Sequence, residues 1–127
     1  MRWHARLALA WRVWAAYARV RVWTRGPLPE QVALLGRTRG GVPPHAPARL
    51  SRAVDRALRI GSWHPTCLRR SLTLLRLLRR QGDACDVVIG LPAGAAERTA
   101  HAWIEIDGID VGPPPGRGDY RELARFR

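Results

Sequence analysis

The sequence predicts an α+β domain in which helices come first and a small antiparallel sheet follows. Apolar residues recur at helical spacing in the first part of the chain, and runs rich in β-branched residues replace them after Gly82. Asp107-Gly108, between two such runs, is a strong signal for a two-residue hairpin.

Residues 1–23 predict a helix, because apolar residues recur three or four positions apart on one face. These residues are Trp3, Leu7, Trp11, Trp14 and Ala18. We expect this face to pack on the core. The alternative is a docking helix for a partner or a membrane surface, since Trp and Arg are common at both.

Breakers and caps divide the next part of the chain. A short helix is expected over 30–35, followed by a Gly- and Pro-rich loop over 37–47. Ser51 is expected to cap a helix that runs to about Ile60. The apolar side of this helix consists of Ala53, Val54, Ala57 and Leu58.

Thr66 is expected to cap a helix from Cys67 to Gln81, and Gly82 is expected to end it. One face is apolar, with Leu68, Leu72, Leu75 and Leu78, widened by Leu74 and Leu77. The other side carries Arg69, Arg70, Arg76, Arg79 and Arg80. The pattern indicates a central, half-buried helix.

Three strands are predicted, over 86–91, 100–106 and 109–111, with a loop after the first. A simple turn at Asp107-Gly108 pairs Ile106 with Ile109 and Glu105 with Asp110. Residues 119–126 are expected to form a short closing helix or strand.

Length and charge limit the function classes. One domain, 1–127, is expected, with a helical part at 1–60 and a helix plus sheet at 61–127. All 22 basic residues are Arg, against 10 acidic residues, which gives a net charge of +12. This charge favours acidic partners. A basic nucleic-acid-binding protein stays open as an alternative, but without a nucleic-acid motif no such partner is expected.

Cys67 and Cys85 are too few for a disulfide framework, which favours reduced thiols and a cytoplasmic protein. No apolar run is long enough for a membrane span of ~20 residues. The four histidines, His4, His45, His64 and His101, show no paired spacing. Neither a metal site nor a cofactor is therefore expected.

Cys67 is the candidate nucleophile, because it lies in the first turn of a helix. The helix dipole favours its thiolate, and the outward N–H groups could bind an oxyanion. The alternative is a buried structural cysteine. Cys85 has no cap and no nearby histidine, so we expect an ordinary strand residue.

His101 is the candidate base, and it lies on a predicted strand. Its face also holds Trp103, Glu105 and Asp107, whereas the core face holds Ala102, Ile104 and Ile106. We therefore expect His101 to point away from the deepest core. His64 is the rival base, and Arg69 and Arg70 are expected to form a solvated face or to lower the pKa of Cys67.

Three segments together resemble the transglutaminase-like cysteine peptidases of lasso-peptide biosynthesis, which remove the leader from a ribosomally made precursor. They are Cys67-Leu68 with Ser71-Leu72, Gly82 before Val87-Val88-Ile89-Gly90, and the run from His101-Ala102-Trp103 to Asp107-Gly108. The resemblance implies a papain/transglutaminase-like half, in which a nucleophile-bearing helix packs on a small antiparallel sheet. It implies Cys67 as nucleophile and His101 as base.

The family usually has a third catalytic residue, an Asp shortly after the hairpin, but this chain has Gly112-Pro113-Pro114 there. Asp110 is the nearest substitute for this third member. The simple turn places it four residues, roughly 13 Å, along the strand from His101. A bulge would shorten that distance.

The resemblance also implies partners: the precursor peptide, a small separate leader-recognition protein and a ring-forming cyclase. A peripheral membrane contact stays open. The missing third residue supports an alternative, a catalytically degenerate binding module that keeps the fold.

Overall fold

The computed structural model describes residues 3–23, 45–59, 66–92, 100–113 and 120–126, without the side chains of Val22, Trp23, Cys67, Pro92 and Tyr120. Within these ranges, three helices precede four strands in the chain, so the predicted α+β class is confirmed. The helix expected over 30–35 lies outside the described residues.

Helix α1 spans Trp3–Trp23, but it buries a different face from the one predicted. Trp3 and Trp11 are 66% and 77% exposed, and Leu7 is exposed as well. The buried residues are Leu9, Val13, Ala16, Tyr17 and Val20. Both stripes have helical spacing, and the core takes the one without tryptophan. The expectation that the face with Trp3, Leu7, Trp11, Trp14 and Ala18 packs on the core is therefore wrong, although Trp14 is half-buried.

Helix α2 spans Pro47–Ala57 and begins before the predicted cap. Ala46 precedes it without a side-chain cap, and Pro47, whose ring presets a helical φ, occupies its first turn. Ser51 lies inside the helix and is buried. The cap at Ser51 is therefore wrong, whereas the apolar side is correct, since Val54 and Leu58 are in the core.

Helix α3 spans Cys67–Arg80 and begins and ends as predicted to within one residue. The Thr66 side chain accepts a hydrogen bond from the Arg69 N–H at 3.3 Å. Gly82 follows the helix with a φ of +97°. Residues with a side chain rarely adopt this left-handed conformation, so glycine is favoured here. The half-buried expectation is wrong: residues 71–79 are all buried, because α1, α2 and the sheet all pack around α3.

The strands β1 (Asp86–Pro92), β2 (His101–Ile106), β3 (Ile109–Gly112) and β4 (Tyr120–Phe126) form one antiparallel sheet in the order β3-β2-β1-β4. The hairpin register is the predicted one, with Ile106 opposite Ile109 and Glu105 opposite Asp110. Positive φ angles of 52° at Asp107 and 78° at Gly108 form the turn. Residues 120–126 form the closing strand, which pairs with β1.

Both faces of the central strands are covered. Val87 and Ile104 belong to the core formed with the helices. On the opposite face the Trp103 ring occupies the space above Gly90, where a Cβ atom would approach it to 2.6 Å. Trp103 and Glu105 are consequently buried, so only the two ends of β2, at His101 and Ile106, are partly accessible.

Candidate active site

The start of α3 and the start of β2 lie at the same end of the domain. Residues 81–85 turn the chain back from the 14-residue helix α3 into the seven-residue strand β1. The two elements have similar lengths of about 21 and 23 Å. The last part of β1 therefore returns toward the level of Cys67, and there Gly90 pairs with His101.

A hydrogen bond between buried groups joins these two elements. Ser71 Oγ donates to the carbonyl oxygen of Ala102 at 3.0 Å. Ser71 lies one helical turn after Cys67, on the same side of α3. Ala102 directly follows His101 in β2. The bond therefore fixes the first turns of α3 against the first residues of β2.

His101 is half-buried, and its surroundings disfavour the imidazolium form. Burial lowers the pKa of His101, and the positive charge of Arg70 lowers it further. The negative charge of Asp110 acts in the opposite direction and raises it. One cation from α3 and one carboxylate from β3 therefore act electrostatically on His101.

Arg70 is anchored rather than solvated, so that part of the sequence prediction is wrong. Its Nη1 lies 3.3 Å from Asp55 Oδ1 of α2, and its side chain is only 11% exposed. Asp55 also pairs with Arg59 at 3.1 Å. Arg69, by contrast, is exposed as expected. No local pattern indicates Asp55 as a partner of Arg70, because the contact joins residues 15 positions apart.

Asp110 lies opposite Glu105, as the simple turn predicts, and the register between β2 and β3 then shifts, so that Ile104 pairs with Gly112. This bulge was not expected from the residues. The Oδ1 atom of Asp110 accepts a hydrogen bond from the Gly112 N–H at 2.7 Å. The carboxylate thus stabilises the bulge and also acts electrostatically on His101.

The covered face of the sheet holds a charged cluster behind the site. Trp103 Nε1 donates to Glu105 Oε2 at 2.7 Å, and Arg125 Nη2 donates to Glu105 Oε1 at 2.8 Å. Arg125 also pairs with Asp86 and Glu122. The bonds to Trp103 and Arg125 supply hydrogen-bond donors to the Glu105 carboxylate, which is only 1% exposed. The same bonds hold the side chain of Trp103, which lies two positions after His101 in β2. No sequence pattern indicates a role for Arg125, because strand pairing alone brings β4 to this face.

Of the two cysteines, Cys85 is buried, but it lies directly before β1 rather than in the strand, where the sequence predicts it. Burial raises the pKa of the Cys85 thiol to about 11, although the Arg79 charge opposes this shift. The backbone of Cys67 forms the first residue of α3, while its side chain lies outside the described part. His64, the rival base, also lies outside the described residues.

No group of three or more His, Cys, Asp or Glu side chains in the described ranges could hold a metal ion. No described helix combines the length and the apolar character needed to cross a membrane.

Comparison with known proteins identifies the family of this chain. The model of a family described as the transglutaminase-like superfamily matches residues 5–125, almost the whole chain. No curated protein and no solved structure matches the chain significantly.

Proposed function

The chain belongs to the transglutaminase-like superfamily, and on that premise we propose that it is a cysteine peptidase that removes the leader from a lasso-peptide precursor. Cys67 is the nucleophile and His101 the base. The peptidase class fits a superfamily in which cysteine chemistry is common. The leader substrate follows from the resemblance of the segments around Cys67 and His101.

The bond between Ser71 and Ala102 is the observation that carries the proposal. It holds the first turns of α3 against the start of β2 through two buried groups. A nucleophile and its base must stay within hydrogen-bond reach of each other, so a rigid link between their elements favours catalysis. Cys67 and His101 each lie within four residues of that link.

The proposed reaction has two halves. The Sγ atom of Cys67 bonds to the scissile carbonyl carbon while His101 takes the thiol proton. The C–N bond then breaks, and His101 gives the proton to the leaving amine, which leaves a thioester. Water attacks the thioester while His101 takes one of its protons. The C–S bond breaks, His101 returns the proton to the thiolate, and the leader departs as a carboxylic acid.

Backbone groups supply the electrostatic stabilisation in this mechanism. In the first turn of α3, Thr66 accepts hydrogen bonds from the N–H groups of Arg69 and Arg70, through its side chain and its carbonyl oxygen. The preceding N–H groups, of Cys67 and Leu68, have no acceptor within the helix. A tetrahedral oxyanion on the substrate can accept hydrogen bonds from such groups. The helix dipole favours the thiolate at the same place.

Removal of the nucleophile tests this function. Purified Cys67→Ala protein, mixed with the precursor and its recognition protein, should release no leader in mass spectrometry and should keep the wild-type circular dichroism spectrum. Cys85→Ser is the matched control and should retain most of the activity. Undiminished cleavage by Cys67→Ala would refute the cysteine mechanism.

A second candidate is a catalytically degenerate binding module. It is favoured by Gly112-Pro113 at the position where the family has its third catalytic residue. In that case the wild-type protein would bind the precursor as tightly as Cys67→Ala does and would release no leader even in long incubations. Any turnover that depends on Cys67 excludes this candidate.

A further inference from the structure

A pocket of about 520 Å³ lies between α1, α2 and the C-terminal half of α3. Its walls include Leu9, Ala16, Leu50 and Leu77, and Trp11 stands at its side. A volume of this size is typical of sites that take a small ligand or an anchoring side chain. The lining residues Arg76 and Arg80 lie near the end of α3, whereas Cys67 is its first residue, about 14 to 20 Å away along the axis. The pocket is therefore separate from the candidate active site.

Four arginines line this pocket: Arg12, Arg19, Arg76 and Arg80. No Asp or Glu is among the described residues that line it. Arg76 is only 9% exposed, so its guanidinium belongs to the pocket rather than to an open surface. Burial lowers the pKa of Arg76, and the charges of Arg19 and Arg80 lower it further. Two of the other pocket arginines thus act electrostatically on Arg76.

One wall of the pocket is fixed by reciprocal hydrogen bonds. Gln81 Oε1 accepts from the His45 N–H at 3.0 Å, and Gln81 Nε2 donates to the His45 carbonyl at 2.8 Å. Asp83 Oδ2 accepts a further bond from the same amide at 2.6 Å. These bonds tie His45, two residues before α2, to the end of α3. Because this wall is held in place, little ordering cost is expected when a ligand enters.

We propose that this pocket binds an acidic peptide segment, with an apolar side chain in the pocket and neighbouring carboxylates on the arginines. The apolar lining can pack against the apolar side chain of the peptide. The planar guanidinium groups of the arginines can donate paired hydrogen bonds to its carboxylates. A flat bilayer or a nucleic-acid backbone would meet the rim and leave the apolar interior unused. This inference goes beyond the proposed cleavage, and binding at the pocket can be measured without it.

Fluorescence anisotropy with two labelled peptides tests the proposal. The probe is Glu-Glu-Leu-Phe-Glu-Glu, and its neutral twin has Gln in place of every Glu. Arg19→Gln with Arg80→Gln removes two exposed pocket charges, and Arg52→Gln with Arg56→Gln removes two exposed charges outside this pocket. We expect the pocket double variant to weaken binding of the acidic probe about tenfold or more, and the control double variant to weaken it less than about twofold.

A third variant separates the pocket from its charge. Ala15 is exposed and lines the pocket, so Ala15→Trp should fill the space without changing the net charge, and binding should again fall. Equal losses in the two double variants, or full binding by Ala15→Trp, would overturn the proposal in favour of diffuse charge attraction. Tighter binding of a single-stranded oligonucleotide or of phosphatidylglycerol vesicles, unaffected by the pocket variants, would overturn it as well.

Discussion

The hydroxyl of Ser71 donates a hydrogen bond to the carbonyl oxygen of Ala102 at 3.0 Å, between a helix and a strand 31 residues apart in the chain. Both residues are buried. Each stands beside one of the two groups to which we assign the chemistry, since Ser71 is one turn from Cys67 and Ala102 follows His101. The geometry of the candidate site therefore depends on a hydrogen bond in which neither Cys67 nor His101 takes part.

Ser71→Ala should destabilise the fold and slow cleavage. The variant leaves a buried carbonyl without this donor, at a cost of about 1–3 kcal/mol in the free energy of unfolding. Activity should fall about tenfold or more under conditions where the protein remains folded, because the two elements lose their link. Urea unfolding and single-turnover cleavage rates measure the two effects.

Thr73→Val is the matched control for Ser71→Ala. Thr73 is equally buried, but its hydroxyl donates to the Arg69 carbonyl of its own helix at 2.8 Å. That carbonyl can keep a backbone partner within the helix, so we expect a loss below about 1 kcal/mol and near-normal activity. Equal losses of activity in both variants would contradict a special role for the bond to Ala102.

The two thiols should react at very different rates with iodoacetamide. Burial raises the pKa of Cys85 to about 11, so at pH 8 only about one molecule in a thousand carries this thiolate. Cys67 at the helix start should therefore be alkylated first, as peptide mapping by mass spectrometry would show. In urea both should label at similar rates. Fast labelling of Cys85 in the folded protein would reverse our assignment.

His101→Ala and Asp110→Ala should differ strongly in single-turnover rate. Loss of the base should leave the enzyme nearly inactive. Asp110 lies opposite Glu105 and accepts a bond from the Gly112 N–H, so its loss should act indirectly and cost less than about tenfold. Equal, severe losses would instead establish a true triad, in which the observed bulge brings Asp110 to the imidazole.

The pKa of His101, followed by NMR of the ring protons, should respond to its two charged neighbours with opposite signs. The Arg70 cation lowers this pKa and the Asp110 carboxylate raises it. Arg70→Gln should therefore raise it, and Asp110→Asn should lower it. Arg69→Gln removes the same charge from an exposed neighbouring position and should change the pKa least. A shift as large in Arg69→Gln as in Arg70→Gln would rule out a specific effect of the Arg70 charge on His101.

Short-range signals in the sequence determined the elements that surround the site. Thr66 marks the start and Gly82 the end of the helix that begins at Cys67. Both signals are local, because a side-chain cap and a left-handed residue affect only the backbone within a few positions. Asp107-Gly108 set the hairpin register for the same reason. The motif around Cys67 and His101 indicated the superfamily that the family match confirms.

Only the tertiary structure decided which surfaces of those elements meet. Helix α1 has two apolar stripes with helical spacing. The stripe with Val13 packs against α2 and α3, whereas the stripe with Trp11 is exposed. Arg70 pairs with Asp55, and Arg125 reaches Glu105, because helix packing and strand order bring distant residues together. Local periodicity cannot rank such alternatives, since their free energies depend on the shape and charge of surfaces that form only when the chain is folded.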